Sequence, residues 1–111
     1  MYWGLIENWA YDALGQTWPV DVENDLGVSV ALVFTTPEHA QQFISSEIAR
    51  EPLSEYPSGE LAVFKFSKED LGDFVEQRPG ALVVLDAPPG IPLPTSIQEK
   101  AVPMQTFVNS L

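Results

Sequence analysis

The chain contains no cysteine, which excludes a disulfide frame, a thiolate nucleophile and any metal centre built on sulfur. It has a single histidine, His39, so triad-type nucleophilic catalysis has one residue from which to draw its base. Basic residues are scarce: five Lys and Arg stand against sixteen Asp and Glu, a formal net charge of −11. Phosphate backbones and anionic headgroups repel such a surface, so neither nucleic acid nor a membrane is an expected partner. No apolar run approaches the roughly 20 residues that span a bilayer. The opening Met1-Tyr2-Trp3-Gly4-Leu5-Ile6-Glu7 lacks the basic start and long apolar stretch of a secretory leader, and a cytoplasmic protein is the expectation. Gly-x-Gly-x-x-Gly, Gly-Lys-Ser/Thr and Gly-x-Ser-x-Gly are absent, so no loop cradles phosphate, no elbow presents a serine, and no cofactor is expected.

What is present fits a folded domain. The 111 residues are 45% hydrophobic and 11% aromatic, enough to bury one core without staples. The acidity has two readings: a face that meets a basic partner or imitates a nucleic-acid backbone, or a charge that keeps a small apolar domain dissolved.

A strand-then-helix phrase occurs twice. Ala31-Leu32-Val33-Phe34-Thr35-Thr36-Pro37-Glu38 runs on to Phe43-Ile44, and Ala62-Val63-Phe64-Lys65-Phe66-Ser67-Lys68-Glu69 runs on to Phe74-Val75. Thr36 and Ser67 stand where N-caps belong, Pro37 is at a first helical position, and acidic residues occupy both first turns. Ala40, Phe43, Ile44 and Ile48 form one apolar stripe, Leu71, Phe74 and Val75 the other. Pro52 ends the first helix, Arg78-Pro79-Gly80 the second, and residues 51–60 form the connection. A closing apolar run, Ala81-Leu82-Val83-Val84-Leu85, has no third helix after it. Strands joined by crossover helices favour parallel pairing. The prediction is a single α/β domain over residues 1–111: a β-α-β-α-β core with mostly parallel central strands, plus an N-terminal hairpin or edge strand and a C-terminal tail element. In the N-terminal part, Tyr2–Ile6 and Trp18–Val22 read as strands, and Asn8–Gln16 as a turn or loose hairpin between them. In the tail, Thr95–Lys100 reads as a turn of helix and Met104–Val108 as an edge strand.

Four groups of residues invite a functional reading. Trp3, Trp9, Tyr11 and Trp18 form either a lid on the core or an exposed aromatic anchor for a partner. Thr35, Thr36, Ser67 and Asp86 fall at the carboxyl ends of the three core strands, where α/β sheets hold ligands. Glu69, Asp70, Asp73 and Glu76 suit the solvated face of a helix better than acid–base work. Asp21-x-Glu23-x-Asp25 imitates the opening of a calcium loop, but Leu26 and Leu32 stand where such a loop needs Gly and Glu. His39 reads as a surface residue of its helix. Pro88 to Pro94 either carries the chain over the surface or offers an extended stretch for docking.

The strand–helix junctions also resemble a known family. Val33-Phe34-Thr35-Thr36-Pro37-Glu38 resembles the Phe-Thr-x-Pro-Glu junction of the SseB-type N-terminal domains, a bacterial family. Val63-Phe64-Lys65-Phe66-Ser67-Lys68-Glu69-Asp70-Leu71 resembles its second strand and following helix. Ala81-Leu82-Val83-Val84-Leu85-Asp86-Ala87-Pro88-Pro89-Gly90 is similar to its closing strand, with Asp86 near the family's Asn and Pro89-Gly90 near its Pro-Gly. The resemblance covers roughly residues 28–91 and implies a small α/β domain without an established catalytic set, so no functional residue carries over.

The expected function is a non-enzymatic, acidic protein-interaction module: an adaptor, an inhibitor or an immunity-type binding protein, whose natural complement is a basic protein. The alternative is a small-ligand or enzymatic domain working at the strand-end rim of Thr35, Thr36, Ser67 and Asp86. A homodimer is a third reading, with the first strand, the tail and the aromatic start as the surfaces to pair.

Overall fold

Val30, Ala31, Leu32, Val33 and Phe34 are all 0% exposed, as a strand covered on both faces must be. They lie in β3 (Ser29–Phe34), the axis of a six-stranded sheet. The computed structural model describes residues 2–24, 26–45, 61–87 and 100–111, with the side chains of Asn8 and Trp9 outside the description. Around β3 the elements are β1 (Tyr2–Glu7), α1 (Asn8–Leu14), β2 (Asp21–Glu23), α2 (Pro37–Ile44), β4 (Leu61–Phe66), α3 (Lys68–Gln77), β5 (Leu82–Leu85), β6 (Val102–Pro103) and α4 (Met104–Asn109).

The sheet runs β4-β1-β3-β5-β6, with β2 also on β3. β3 and β5 are parallel. β1 is antiparallel to both β3 and β4, so β3, β4 and β5 share one direction and the β-α-β-α-β core is present. The sheet is nevertheless mixed rather than mostly parallel, because β1 is inserted between the first two core strands. The N-terminal strand is central, neither an edge nor half of a hairpin. Its side chains explain the place: Leu5 packs into the cluster beneath α2 and Ile6 into the cluster beneath α3. A strand apolar on both faces loses burial at an edge. Gly4 lets the backbone pass under the ring of Phe66.

β1 and β3 pair only at Trp3–Phe34 and Gly4–Val33. Beyond that point the chain at Val20 is wedged between them. The Val20 N–H donates to the Leu5 carbonyl (2.8 Å), and the Leu32 N–H donates to the Val20 carbonyl (3.1 Å). β2 then continues along β3 from Asp21 to Glu23.

Residues of β3 alternate between two cores. Val30, Leu32 and Phe34 join Ala40 and Phe43 of α2, while Ala31 and Val33 join Leu71, Phe74 and Val75 of α3 and Met104, Phe107 and Val108 of α4. Phe34, Phe43, Phe66 and Phe74 are fully buried, each contributing about 1.5–3 kcal/mol of transfer free energy. The radius of gyration, 12.7 Å, is close to the roughly 13 Å of one compact domain of this length.

Two further expectations are corrected. The turn expected over Asn8–Gln16 holds a helix, α1, closed by Gly15 at φ +64, whose N–H donates to the Tyr11 carbonyl at 2.9 Å. The edge strand expected over Met104–Val108 is helix α4, because Met104, Phe107 and Val108 are buried at i, i+3 and i+4. The tail's edge strand is the shorter β6, antiparallel to β5. Ile48, Pro52, the connection over 51–60, Asp25, the stretch from Pro88 to Pro94 and the helical turn over 95–99 lie outside the described residues. No helix among the described residues is long and apolar enough to cross a membrane.

Candidate functional site

Parallel strands β3 and β5 end side by side, and Thr35 and Asp86 follow directly. The Asp86 N–H donates to the Val33 carbonyl (2.9 Å), carrying the ladder one step past β5. Asp86 has φ +52, the one non-glycine residue with positive φ among the described residues. Asp tolerates this conformation when its side chain finds local partners. Here the carboxylate accepts from the Thr35 N–H (2.9 Å) and from the Thr35 hydroxyl (2.7 Å).

The third partner is His39, whose Nδ1 lies 3.1 Å from Asp86 Oδ1. Thr36 sets this contact up. Its hydroxyl accepts the His39 N–H (3.2 Å) as the N-cap of α2, which places the imidazole in the first turn beside the end of β5. Facing a carboxylate, which only accepts, Nδ1 is the donor in this contact. The side chains of His39 and Asp86 are 49% and 33% exposed, so the pair stands at the surface and is able to exchange a proton with an approaching group.

The rim therefore gathers Thr35, Thr36 and Asp86, adds His39, and leaves out Ser67. β1 lies between β3 and β4, so Ser67 stands two strand spacings away, about 10 Å. Every hydroxyl of the expected rim is engaged: Thr35 to Asp86, Thr36 and Ser67 as helix caps. Among the described residues no group of three His, Cys, Asp or Glu is arranged to hold a metal ion.

α3 presents the second candidate. Ser67 and Asp70 form a reciprocal capping box: the Asp70 N–H donates to the Ser67 hydroxyl (3.1 Å) and the Ser67 N–H donates to the Asp70 carboxylate (2.9 Å). The Thr17 hydroxyl also donates to Asp70 (2.9 Å). Burial pushes the Asp70 carboxyl up, but the hydrogen bonds from Ser67 and Thr17 together outweigh it and hold the group below its usual range. A depressed carboxylate contributes stability that is fully present above about pH 4 and is lost as pH falls through the lowered value. Asp70→Asn is accordingly expected to cost about 1 kcal/mol in urea unfolding at neutral pH. The gap to the parent should narrow as pH falls through the lowered value; a gap unchanged in acid would contradict the capping role.

With Asp70 turned back to its cap, Glu69, Asp73 and Glu76 are left exposed on α3. They line an open groove of about 510 Å³ between α3 and α4, together with Lys68, Gly72 and Val108. A Cβ built on Gly72 would meet nothing within 4 Å, so that turn of α3 leaves the groove open. Among the described residues no ion pair engages the three carboxylates. Among the described residues the one contact between a Lys or Arg and a carboxylate joins Arg78 to Asp21, at 3.9 Å.

The aromatic start is dispersed. Trp3 is half-buried on the α2 side with Lys65 Nζ 5.6 Å from its ring centroid. Trp18 is half-buried on the other side, edge-on to Phe74 at 6.4 Å. Tyr11 is 44% exposed and leans on Phe64; the side chain of Trp9 lies outside the described residues. Trp3 and Trp18 therefore stand on opposite faces of the sheet and do not form one patch.

Sequence reasoning placed His39 on the surface of its helix, where it lies, and missed its contact with Asp86. The signal was its position three residues after the cap Thr36, facing a strand end that carries Asp86. Compared with protein-family models, with curated proteins and with solved structures, the chain matches none of them.

Proposed function

We propose that the protein is a non-enzymatic interaction module whose acidic α3 face, at the groove between α3 and α4, receives a basic segment of a protein partner. One observation carries this reading: Glu69, Asp73 and Glu76 line a single open groove beside Val108, and among the described residues no cation is paired to them. Three exposed carboxylates cost little to desolvate and attract a basic chain over a Debye length, about 8 Å at physiological salt. The engaged hydroxyls of the rim support the same conclusion, since a ligand there would have to displace helix caps or the Thr35–Asp86 bonds. A cytoplasmic setting and the SseB-type resemblance over residues 28–91 belong to this proposal as its context. The resemblance implies no catalytic set.

Immobilised protein incubated with extract of its native host at about 50 mM salt should retain a stoichiometric basic protein and release it near 0.5 M. The variant Glu69→Gln/Asp73→Asn/Glu76→Gln should weaken binding of the recovered partner by about 1–3 kcal/mol, roughly five- to 150-fold. Retention that ignores both salt and the three substitutions would overturn the proposal.

A further inference from the structure

The sheet ends differently at its two edges. At one, β6 is two residues long, closes on Pro103 and passes directly into α4. A short strand with a proline is one of the ordinary ways to blunt an edge. At the other, β4 pairs with β1 over all six residues, from Leu61 opposite Glu7 to Phe66 opposite Tyr2, with no bulge in the register. Among the described residues no strand pairs with its outer side. The strand Leu-Ala-Val-Phe-Lys-Phe contains no proline, and its one charge is Lys65. On one face of it Tyr11 of α1, 44% exposed, leans on Phe64. Among the described residues this edge is regular, free of proline and carries a single charge, and its row of N–H and C=O groups is able to pair.

We infer that β4 pairs antiparallel with β4 of a second copy of this chain, across a two-fold axis at Val63. Charge selects both the place and the occupant. Each copy carries −11, so two copies repel over most of their surfaces, but Leu61–Phe66 contains no carboxylate, and a second copy meets less of that repulsion along this strand. Symmetry settles the faces: in a two-fold antiparallel pair a residue on the axis opposes itself, and every other residue opposes one of the same parity, so the α2 sides of the two sheets coincide.

With Val63 on the axis, Lys65 opposes Leu61 of the second copy. Leu61 is itself in register with Glu7 of β1. Each Lys65 thereby enters the same cross-strand row as Glu7 of the other copy, and two-fold symmetry makes the contact twice. Moving the axis to Phe64 would set Lys65 against Val63, with Leu5 behind it in the row, and that opposition of charge would be lost. The edge is separate from the groove between α3 and α4, so its failure would leave the proposed function standing.

Size-exclusion chromatography with light scattering on the full chain tests this. At about 100 μM the protein should run at twice its 12.3 kDa. Lys65→Glu puts like charges in the shared row and should raise the dissociation constant at least about tenfold, with the far-UV circular dichroism of the parent. Lys100→Glu, the same change of net charge beside β6, should leave the dimer intact. A monomeric parent, a dimer that survives Lys65→Glu, or equal loss in both variants would overturn the inference.

Discussion

Gly4→Val is expected to destabilise the protein by about 3 kcal/mol or more, a fall in melting temperature of about 12–24 °C for a domain of this size. A Cβ at position 4 would lie 2.5 Å from Phe66 Cε2 and 3.1 Å from the Leu32 carbonyl oxygen. Neither neighbour is free to retreat. Phe66 is 1% exposed and packed against Phe64 with ring centroids 5.2 Å apart; the Leu32 oxygen belongs to the central strand. The opposing effect is smaller, because replacing a glycine in a strand recovers only about 0.5–1 kcal/mol of backbone entropy. Overpacking therefore dominates, and more so for the three carbons of valine than for the one of alanine. Chemical unfolding that leaves Gly4→Val within about 0.5 kcal/mol of the parent would show that β1 does not lie between β4 and β3.

Phe107→Ala is expected to cost about 3 kcal/mol and to loosen the end of the chain. Phe107 is 8% exposed and meets Tyr2 edge-on at 5.0 Å, within the cluster that includes Met104, Leu71 and Phe74. α4 is six residues long, too short to persist without tertiary packing, so its helicity depends on this stripe. Amide exchange at Ser110 and Leu111, whose N–H groups donate to carbonyls of α4, should accelerate with the loss of stability. An edge strand over 104–108 would place Phe107 opposite in facing to Met104 and Val108, and its truncation would then cost no more than about 0.5 kcal/mol. Chemical unfolding distinguishes the two outcomes.

Local signals were legible. Thr36-Pro37-Glu38 and the Ser67-to-Asp70 interval start helices because the groups they satisfy lie within one turn, and both caps form. The buried stripes of α2 and α3 follow from spacing alone. What was not legible depends on distant parts of the chain. Leu5 and Ile6 declare a strand apolar on both faces, but nothing within Tyr2–Glu7 says which strands it separates. Because β1 enters between β3 and β4, the two halves of the repeated phrase are not neighbours, and Ser67 does not stand beside Thr35 as the repetition suggested. The His39–Asp86 contact joins residues 47 positions apart and exists only because β3 and β5 pair in parallel. In the tail, Thr106-Phe107-Val108 has strand-forming side chains, and the packing of Met104, Phe107 and Val108 against α3 overrides them. α1 carries little signal of its own: its N-cap Glu7 makes no side-chain capping bond, and only Gly15 marks its end.

The rival sites for a partner are the acidic groove and the His39–Asp86 rim, and amide hydrogen exchange of the protein with and without its recovered partner separates them directly. The acidic-module account predicts slowed exchange along α3 and α4, residues 68–77 and 104–109, and unchanged exchange at Thr35, His39 and Asp86. Slowing confined to Thr35, His39 and Asp86, with α3 and α4 unaffected, would contradict it.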